Sequence, residues 1–187
     1  TKSGLYGSVS STQKVTGTSD TTVSISISGL SSATKYYYRI AAQNNSGTSY
    51  GSEKSFTTSD TSAPTGSISI NGDATYTKST SVTLTLSATD NAGVTGYYIS
   101  NSSTKPSASA AGWTSVSSTT SYSANVSYPL SSGDGSKTVY VWYKDNSGNV
   151  SNSASDSIIL DTTAPTITIT SPTSDDTYTV TSSVIAI

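Results

Sequence analysis

Carboxylates are the main side chains in this sequence that could do chemistry. The 187 residues include no Cys or His, so the usual ligands of zinc, iron–sulfur and haem sites and the Ser-His-Asp and Cys-His catalytic arrangements are absent. Glycoside hydrolysis needs two carboxylates about 5 to 10 Å apart, and Asp175 and Asp176 are the only adjacent pair. Adjacent side chains of a strand point to opposite faces, so this pair is expected in a polar turn. We predict no catalytic residues and no enzyme activity.

The elements that must position the remaining carboxylates are predicted to be β-strands. The chain contains 44 Ser and 33 Thr, and in several segments they alternate with β-branched or aromatic residues. The clearest alternating segments are residues 23–28, 82–89, 139–144 and 167–170. A period of two with these residue types is typical of a strand with one buried face. The predicted fold class is therefore all-β, with the hydroxyls on the outer faces of the strands.

A motif that recurs 101 residues later divides the chain into three units. Residues 60–65 read DTSAPT, and residues 161–166 read DTTAPT. Proline after a small residue favours extended backbone and ends the preceding strand, so both motifs are interpreted as short linkers. The predicted units are residues 1–59, 60–161 and 162–187. A repeat of about 100 residues is the size of one β-sandwich domain.

Neither outer unit has enough predicted strands to close a sandwich. Residues 1–59 are expected to contain about four strands, and residues 162–187 only the first strands of a further module. We therefore expect tandem β-sandwiches whose first and last modules are incomplete, within a longer protein. The alternative is that the end units of different chains complement each other through their strand edges.

Three aspartates are predicted to meet where the first linker joins the middle unit. In a β-sandwich with Greek-key connections Asp90 would follow the second strand and Asp145 the penultimate one, and both loops would lie at the end that receives the linker with Asp60. With Asn149 and loop carbonyls they could supply the roughly six to eight oxygens that Ca²⁺ requires. Asp161 would then belong to the equivalent site at the next junction. The alternative is that Asp and Asn side chains only stabilise turns through bonds to the backbone.

A tyrosine-rich segment near residue 36 has a recognisable pattern. Its motifs are GL at 29–30, TKYYYRIAAQN at 34–44, Gly47, and SFTT at 55–58. On these motifs the first unit resembles the C-terminal half of a fibronectin type III domain. The resemblance implies that Tyr36 forms a tyrosine corner, in which the hydroxyl ties the strand to the preceding loop. It also implies that Tyr36, Tyr38, Ile40 and Ala42 point inward and that Tyr37 and Arg39 point outward.

Three motifs give the middle unit a second recognisable pattern. They are SATDNAGV at 87–94, YKDNSGNV at 143–150 and ILDTTAP at 159–165. With them residues 62–161 resemble a bacterial immunoglobulin-like repeat of the kind that occurs in tandem along large secreted adhesins, and the beginning of the repeat recurs at 163–187. The resemblance implies a cell-surface or extracellular location, neighbouring modules as partners, and structural calcium at the junctions.

Aromatic residues suggest a further binding role. On the penultimate strand, Val139, Val141 and Tyr143 are expected to face the core and to leave Tyr140 and Trp142 partly exposed. Exposed Tyr and Trp rings stack on sugars, so these two residues are candidates for glycan binding; the alternative is packing against a neighbouring strand or module. Candidate N-glycosylation acceptors in the pattern Asn-X-Ser/Thr are Asn44, Asn101, Asn125 and Asn149.

Charge and hydropathy exclude two classes of partner. A net charge of -2 argues against nucleic-acid binding, and no apolar run approaches the roughly 18 residues of a membrane span. The expected function is a non-catalytic structural or adhesive segment of a large secreted or cell-surface protein. Its tandem sandwiches would act as a rod-like stalk or fibre, with surface glycans or a filament as further partners. The alternative is an accessory spacer or carbohydrate-binding module of an extracellular carbohydrate-active enzyme.

Overall fold

The computed structural model describes residues 7–17 and 19–166, and in this part of the chain it contains β-strands but no helix. The prediction of an all-β fold is therefore confirmed. The strands of the first unit are β1 (Lys35–Tyr38), β2 (Ala41–Asn44), β3 (Gly47–Tyr50) and β4 (Lys54–Thr57). Those of the middle unit are β5 (Thr65–Ile70), β6 (Tyr76–Thr77), β7 (Ser81–Ser100), β8 (Thr114–Pro129), β9 (Gly135–Asp145) and β10 (Ala154–Leu160). The strand predicted at 167–170 and the Asp175–Asp176 pair lie outside the described residues.

The first unit consists of two separate antiparallel pairs, β1 with β4 and β2 with β3. Tyr36 is opposite Phe56 in the first pair, and the two rings stack with centroids 5.9 Å apart. The Tyr36 hydroxyl accepts a hydrogen bond from the backbone N–H of Ser31 at 2.9 Å. This bond ties β1 to the preceding loop, which is the contact that was predicted for Tyr36.

Two other predictions for the first unit are wrong. Residues 23–28 form no strand, although their alternation predicts one, and their apolar side chains are exposed. Tyr38, Ile40 and Ala42 are exposed instead of inward-facing, while Tyr37 is half-buried and Arg39 is exposed above the ring of Tyr50. The physical reason is that two-stranded sheets are marginal without a layer packed on them, and no described residue of this unit is buried.

The middle unit is one curled sheet in which β7 connects two parts. The strand order is β5-β7-β9-β10-β6, with β8 also paired to β7. Residues 81–89 of β7 pair with β5 and β8, residues 94–100 pair with β9, and β8 remains paired with β7 as far as Tyr97. The register shifts between Thr89 and Val94 and again between Val94 and Gly96. Because such irregularities bend a strand, the sheet curls at this point, and Tyr143 on β9 reaches β5 to donate a hydrogen bond to the Ser67 carbonyl.

The hydrophobic core of the described residues lies between the two parts of the curled sheet. Alternate residues of β7 and β9 point into it, as their sequence pattern predicts, and the intervening Ser and Thr of residues 81–89 are exposed. The core cluster consists of Ile68, Ile70, Val82, Leu84, Leu86, Ala88, Val94, Leu130, Val139, Val141, Tyr143 and Ile158. All of these residues come from the predicted middle unit.

The outer face of β9 is covered too, so the prediction that Trp142 is partly exposed is wrong. Trp142 is only 1% exposed, and its ring packs edge-to-face with the ring of Tyr98, with the ring centroids 6.2 Å apart. Tyr98 in turn packs against Trp113 at 5.6 Å, and the Lys144 ammonium lies over the Trp113 ring. The connection between β7 and β8, which carries Trp113, therefore covers this face. Tyr140 stacks on Trp142 at 6.1 Å and is half-buried.

Candidate metal centre

The first linker, the bend of β7 and the end of β9 bring Asp60, Asp90 and Asp145 together. One carboxylate oxygen of each aspartate lies within 4.8 Å of the others. The pairing of the strands explains this convergence. The first residue of β5 pairs with Thr89, next to Asp90, and Asp145 pairs with Val94 on the other side of the bend. We refer to Asp60, Asp90 and Asp145 as the acidic cluster.

Asp90 forms the bend of β7. It is 8% exposed, and its Oδ1 accepts hydrogen bonds from the backbone N–H groups of Ala92 at 2.9 Å and Gly93 at 2.8 Å. Gly93 has a φ of 108°, and a side chain at this position would overlap the hydroxyl of Ser118. The turn-forming role that was predicted as an alternative for Asp90 is therefore present, and it fixes the carboxylate within the cluster.

Asp145 is the most deeply buried member of the cluster, with 2% of its surface exposed. Its Oδ1 accepts the backbone N–H of Asn149 at 2.9 Å, and its Oδ2 accepts the Asn149 side-chain Nδ2 at 2.7 Å. The same Nδ2 donates to the carbonyls of Asp60 at 3.2 Å and Ser62 at 3.3 Å. Asn149 therefore presents a nitrogen to the cluster instead of the ligand oxygen that was predicted, and it holds Asp145 against the linker.

Asp60 is the member that connects the two units. Its Oδ1 accepts hydrogen bonds from the Ser32 hydroxyl at 2.8 Å, the Ser62 backbone N–H at 3.1 Å and the Asn91 side chain at 3.4 Å. Its Oδ2 is buried and has no hydrogen-bond partner. The hydrogen bond from Ser32 is the main reason that the pKa of Asp60 lies below its ordinary value, although burial acts in the opposite direction. Asp60 therefore remains a carboxylate with one oxygen unsatisfied.

The charge of the acidic cluster fits a divalent cation. The hydrogen bonds to its carboxylates come from the Ser32 hydroxyl, from backbone N–H groups and from the side chains of Asn91 and Asn149. Burying carboxylates together is unfavourable unless a positive charge balances them. Oxygens bound to one Ca²⁺ at 2.3–2.6 Å lie at most about 5 Å apart. The three carboxylate oxygens of the cluster lie within 4.8 Å of one another and so meet this condition. Asp60, Asp90 and Asp145 would hold the ion, and the remaining ligands would be carbonyls or water.

Asp161 does not lie in this cluster. Its Oδ1 accepts the backbone N–H of Thr163 at 3.1 Å, as Asp60 accepts that of Ser62 at the equivalent position. The proposal that Asp161 binds calcium at the second junction stays a prediction.

The four candidate glycosylation sites differ in their surroundings. Asn44, Asn101 and Asn125 are exposed. At Asn149 the amide nitrogen, where an N-glycan would be attached, already donates to three acceptors. A glycan at Asn149 would break these bonds, whereas the other three positions stay predictions without such a conflict.

The sequence reasoning missed two residues that matter for these surfaces. Ser32 contacts Asp60 across 28 positions of sequence, and no motif or spacing marks a single Ser among so many. Trp113 covers the outer face of β9 through Tyr98, and its isolation in a polar segment is the only signal that could have indicated a packed position.

Comparisons with known proteins give no assignment: no family model matches the sequence, and no curated protein matches it. A search of the described residues for a helix that is long and apolar enough to cross a membrane found none.

Proposed function

We propose that this chain is a non-catalytic structural segment of a secreted or cell-surface protein, in which tandem β-modules form a rod and calcium stiffens the junction between them. The acidic cluster is the observation that carries the proposal. Asp60 belongs to the linker, while Asp90 and Asp145 belong to the middle unit. An ion held by all three would fix the linker to the end of the module that follows it.

The strand pairing supports an immunoglobulin-like sandwich for the middle unit. In that fold strand B pairs with A and E, and strand C pairs with F, which pairs with G. Here residues 81–89 of β7 pair with β5 and β8, residues 94–100 pair with β9, and β9 pairs with β10, while the first residues of β8 also pair with Val94 to Tyr97 of β7. The two parts of β7 therefore correspond to strands B and C without a separate loop between them. A module of this type suits a mechanical role because its strands are tied by ladders of hydrogen bonds.

The hydrogen bonds of Asp60 support a junction in which both units take part. Ser32, which belongs to the first unit, donates to the Asp60 side chain, and Asn149, which belongs to the middle unit, donates to the Asp60 carbonyl. Calcium bound at this residue would therefore restrict the angle between the units, instead of stabilising one unit alone.

Isothermal titration calorimetry of the whole chain tests the calcium site. We expect one Ca²⁺ to bind with a Kd of roughly 10⁻⁴ to 10⁻³ M, the range of extracellular calcium modules. The Asp60→Asn variant should lose most of this affinity, whereas Asp161→Asn, the same substitution in the repeated linker, should keep it. The absence of binding at millimolar calcium in the wild type would remove the basis of the proposal.

Electron spin resonance distance measurements test the mechanical role. The sequence contains no Cys, so spin labels can be attached to introduced cysteines at the exposed positions Thr48 in the first unit and Ser103 in the middle unit. Calcium should narrow the distribution of distances between the labels, and Asp60→Asn should prevent the narrowing. An equally broad distribution with and without calcium would contradict a stiffened junction.

The burial of Trp142 favours this structural role over the carbohydrate-binding alternative. A ring that is 1% exposed presents no face to a sugar, and Tyr140, the other candidate, already stacks on Trp142. Trp142 therefore provides no open face for a glycan, and one face of Tyr140 is already in contact with Trp142.

A further inference from the structure

We propose that Ser32 is the positioning residue for the acidic cluster, so that the calcium affinity of a site built mainly from the middle unit depends on the first unit. This inference rests on the proposed calcium function. Its basis is the arrangement of hydrogen bonds around the Ser32 hydroxyl, which reaches the linker from a loop 28 residues earlier in the chain.

The Ser32 hydroxyl binds two successive residues of the linker. It donates to Asp60 Oδ1 at 2.8 Å and accepts the backbone N–H of Thr61 at 2.9 Å. The first bond occupies one carboxylate oxygen of Asp60, and the second fixes the backbone that carries it. With Oδ1 held in this way, Oδ2 is the oxygen that remains buried without a partner. Ser32 makes the shortest of the three hydrogen bonds to Oδ1, and with Ser62 and Asn91 it leaves Oδ2 as the oxygen that is free to bind a cation.

The loop that carries Ser32 is itself fixed to the end of β4. Thr58 Oγ1 donates to the Ser31 carbonyl at 2.6 Å and accepts the backbone N–H of Thr34 at 2.9 Å. The backbone N–H of Thr58 donates to the Thr34 carbonyl at 3.0 Å. A hydroxyl on a rigid loop positions its acceptor at a lower entropic cost than one on a mobile loop, so the first unit holds Asp60 in a defined place.

The same contact occurs at the end of the middle unit. Thr162, which is equivalent to Thr61 in the repeat, donates its backbone N–H to Asp134 Oδ1 at 2.8 Å. Asp134 precedes β9 as Ser32 precedes β1. In both units, therefore, a side chain from the loop before the strand that pairs with the last strand of the unit holds the outgoing linker, and at the first linker this side chain also contacts a member of the acidic cluster.

Calcium titration of whole-chain variants tests the role of Ser32. Ser32→Ala should raise the Kd for Ca²⁺ by about 10-fold, the lower end of the effect of removing an outer-shell partner of a metal ligand. Ser32→Thr, which keeps the hydroxyl, should restore binding to within about threefold of the wild type on the same scale. Ser31→Ala is the matched control, because Ser31 uses only backbone groups in its contacts with Tyr36 and Thr58.

Amide hydrogen exchange provides a readout that does not depend on calcium. Without calcium, the Thr61 N–H should exchange faster in Ser32→Ala than in the wild type or Ser31→Ala, since it loses its acceptor. Far-UV circular dichroism establishes that each variant remains folded. Wild-type calcium affinity in Ser32→Ala, or equal losses in the Ala and Thr variants, would overturn the role of Ser32 while leaving the calcium site in place. A wild type that binds no calcium would overturn both proposals.

Discussion

Substitution of Asp90 by Asn distinguishes a calcium site from three aspartates that only form turns. Asn retains an oxygen that can accept the N–H groups of Ala92 and Gly93, so the bend of β7 is preserved, but one negative charge is removed. If the acidic cluster binds calcium, its carboxylates repel each other when the ion is absent. We therefore expect Asp90→Asn to be more stable than the wild type without calcium and less stable with it.

The distance within the cluster sets the size of the effect. Two unit charges at 4.8 Å, the upper limit of the separations in the cluster, repel each other by about 3.5 kcal/mol at an effective dielectric constant of about 20 and by about 0.9 kcal/mol in bulk water. Because Asp60 is half-buried and solvent screens part of the repulsion, we expect a gain of about 1 to 2 kcal/mol without calcium. At a calcium concentration about 100 times Kd, the wild type gains about 2.7 kcal/mol, whereas a variant that binds about 100-fold more weakly gains about 0.4 kcal/mol. The order of stability should therefore reverse.

Urea unfolding in EDTA and in saturating calcium measures both effects. The two tryptophans, Trp113 and Trp142, lie in the middle unit, so their fluorescence reports the unfolding of the unit that contains Asp90. Asp161→Asn is the matched control, because it also preserves a turn bond and lies outside the cluster. If Asp90→Asn is less stable than the wild type in both conditions and calcium shifts neither protein, Asp90 forms a turn and no metal site.

Two further predictions concern the middle unit and its outgoing linker. Tyr143→Phe should lower the free energy of unfolding by about 1 kcal/mol, because the 2.6 Å hydrogen bond from the Tyr143 hydroxyl to the Ser67 carbonyl is lost; in urea unfolding, an equal effect of Tyr122→Phe on the neighbouring ring would contradict this reasoning. Hydrogen bonds from the hydroxyls of Thr163 and Thr162 lower the pKa of Asp134 to about 2. This folded-state pKa lies below the ordinary value of 3.8. The stabilisation from the hydrogen bonds between the Asp134 carboxylate and the linker should therefore be fully present above roughly pH 4 and be lost as the pH falls through about 2. An NMR titration of the Asp134 carboxyl carbon should have its midpoint near this lower value, and an ordinary midpoint would contradict the hydrogen bonds.

Alternation in the sequence predicted strands correctly where a second layer packs on them. Val82 to Ala88 are buried at alternate positions, and Val139, Val141 and Tyr143 belong to the core, because the two parts of the curled sheet pack on each other. Residues 23–28 have the same pattern but are exposed and form no strand. Alternation with a period of two indicates which face of a strand would be apolar. It does not indicate whether another element covers that face.

The membership of the acidic cluster could be predicted because it follows from the order of the strands. Once Asp90 and Asp145 are assigned to the ends of the second and penultimate strands of a sandwich, the topology alone brings them to the linker. Ser32, Trp142 and the amide orientation of Asn149 depend on individual tertiary contacts. A buried Trp on the outer face of β9 needs Tyr98 and Trp113 from a different segment, and alternation within one strand cannot indicate such a cover.

The polar character of the junction explains why its stiffness should depend on an ion. Interfaces between domains that are fixed permanently are usually large and apolar, but the described part of the first unit offers no buried apolar side chain. The contacts at Asp60 are hydrogen bonds from Ser32, Asn91 and Asn149, which compete with water and contribute little net stability. A cation held by Asp60 Oδ2 and the two buried aspartates would add a strong interaction at a point where both units already make contacts. Bending at the junction would be easy without the ion and restricted with it, so calcium would control the flexibility of the junction as well as its stability.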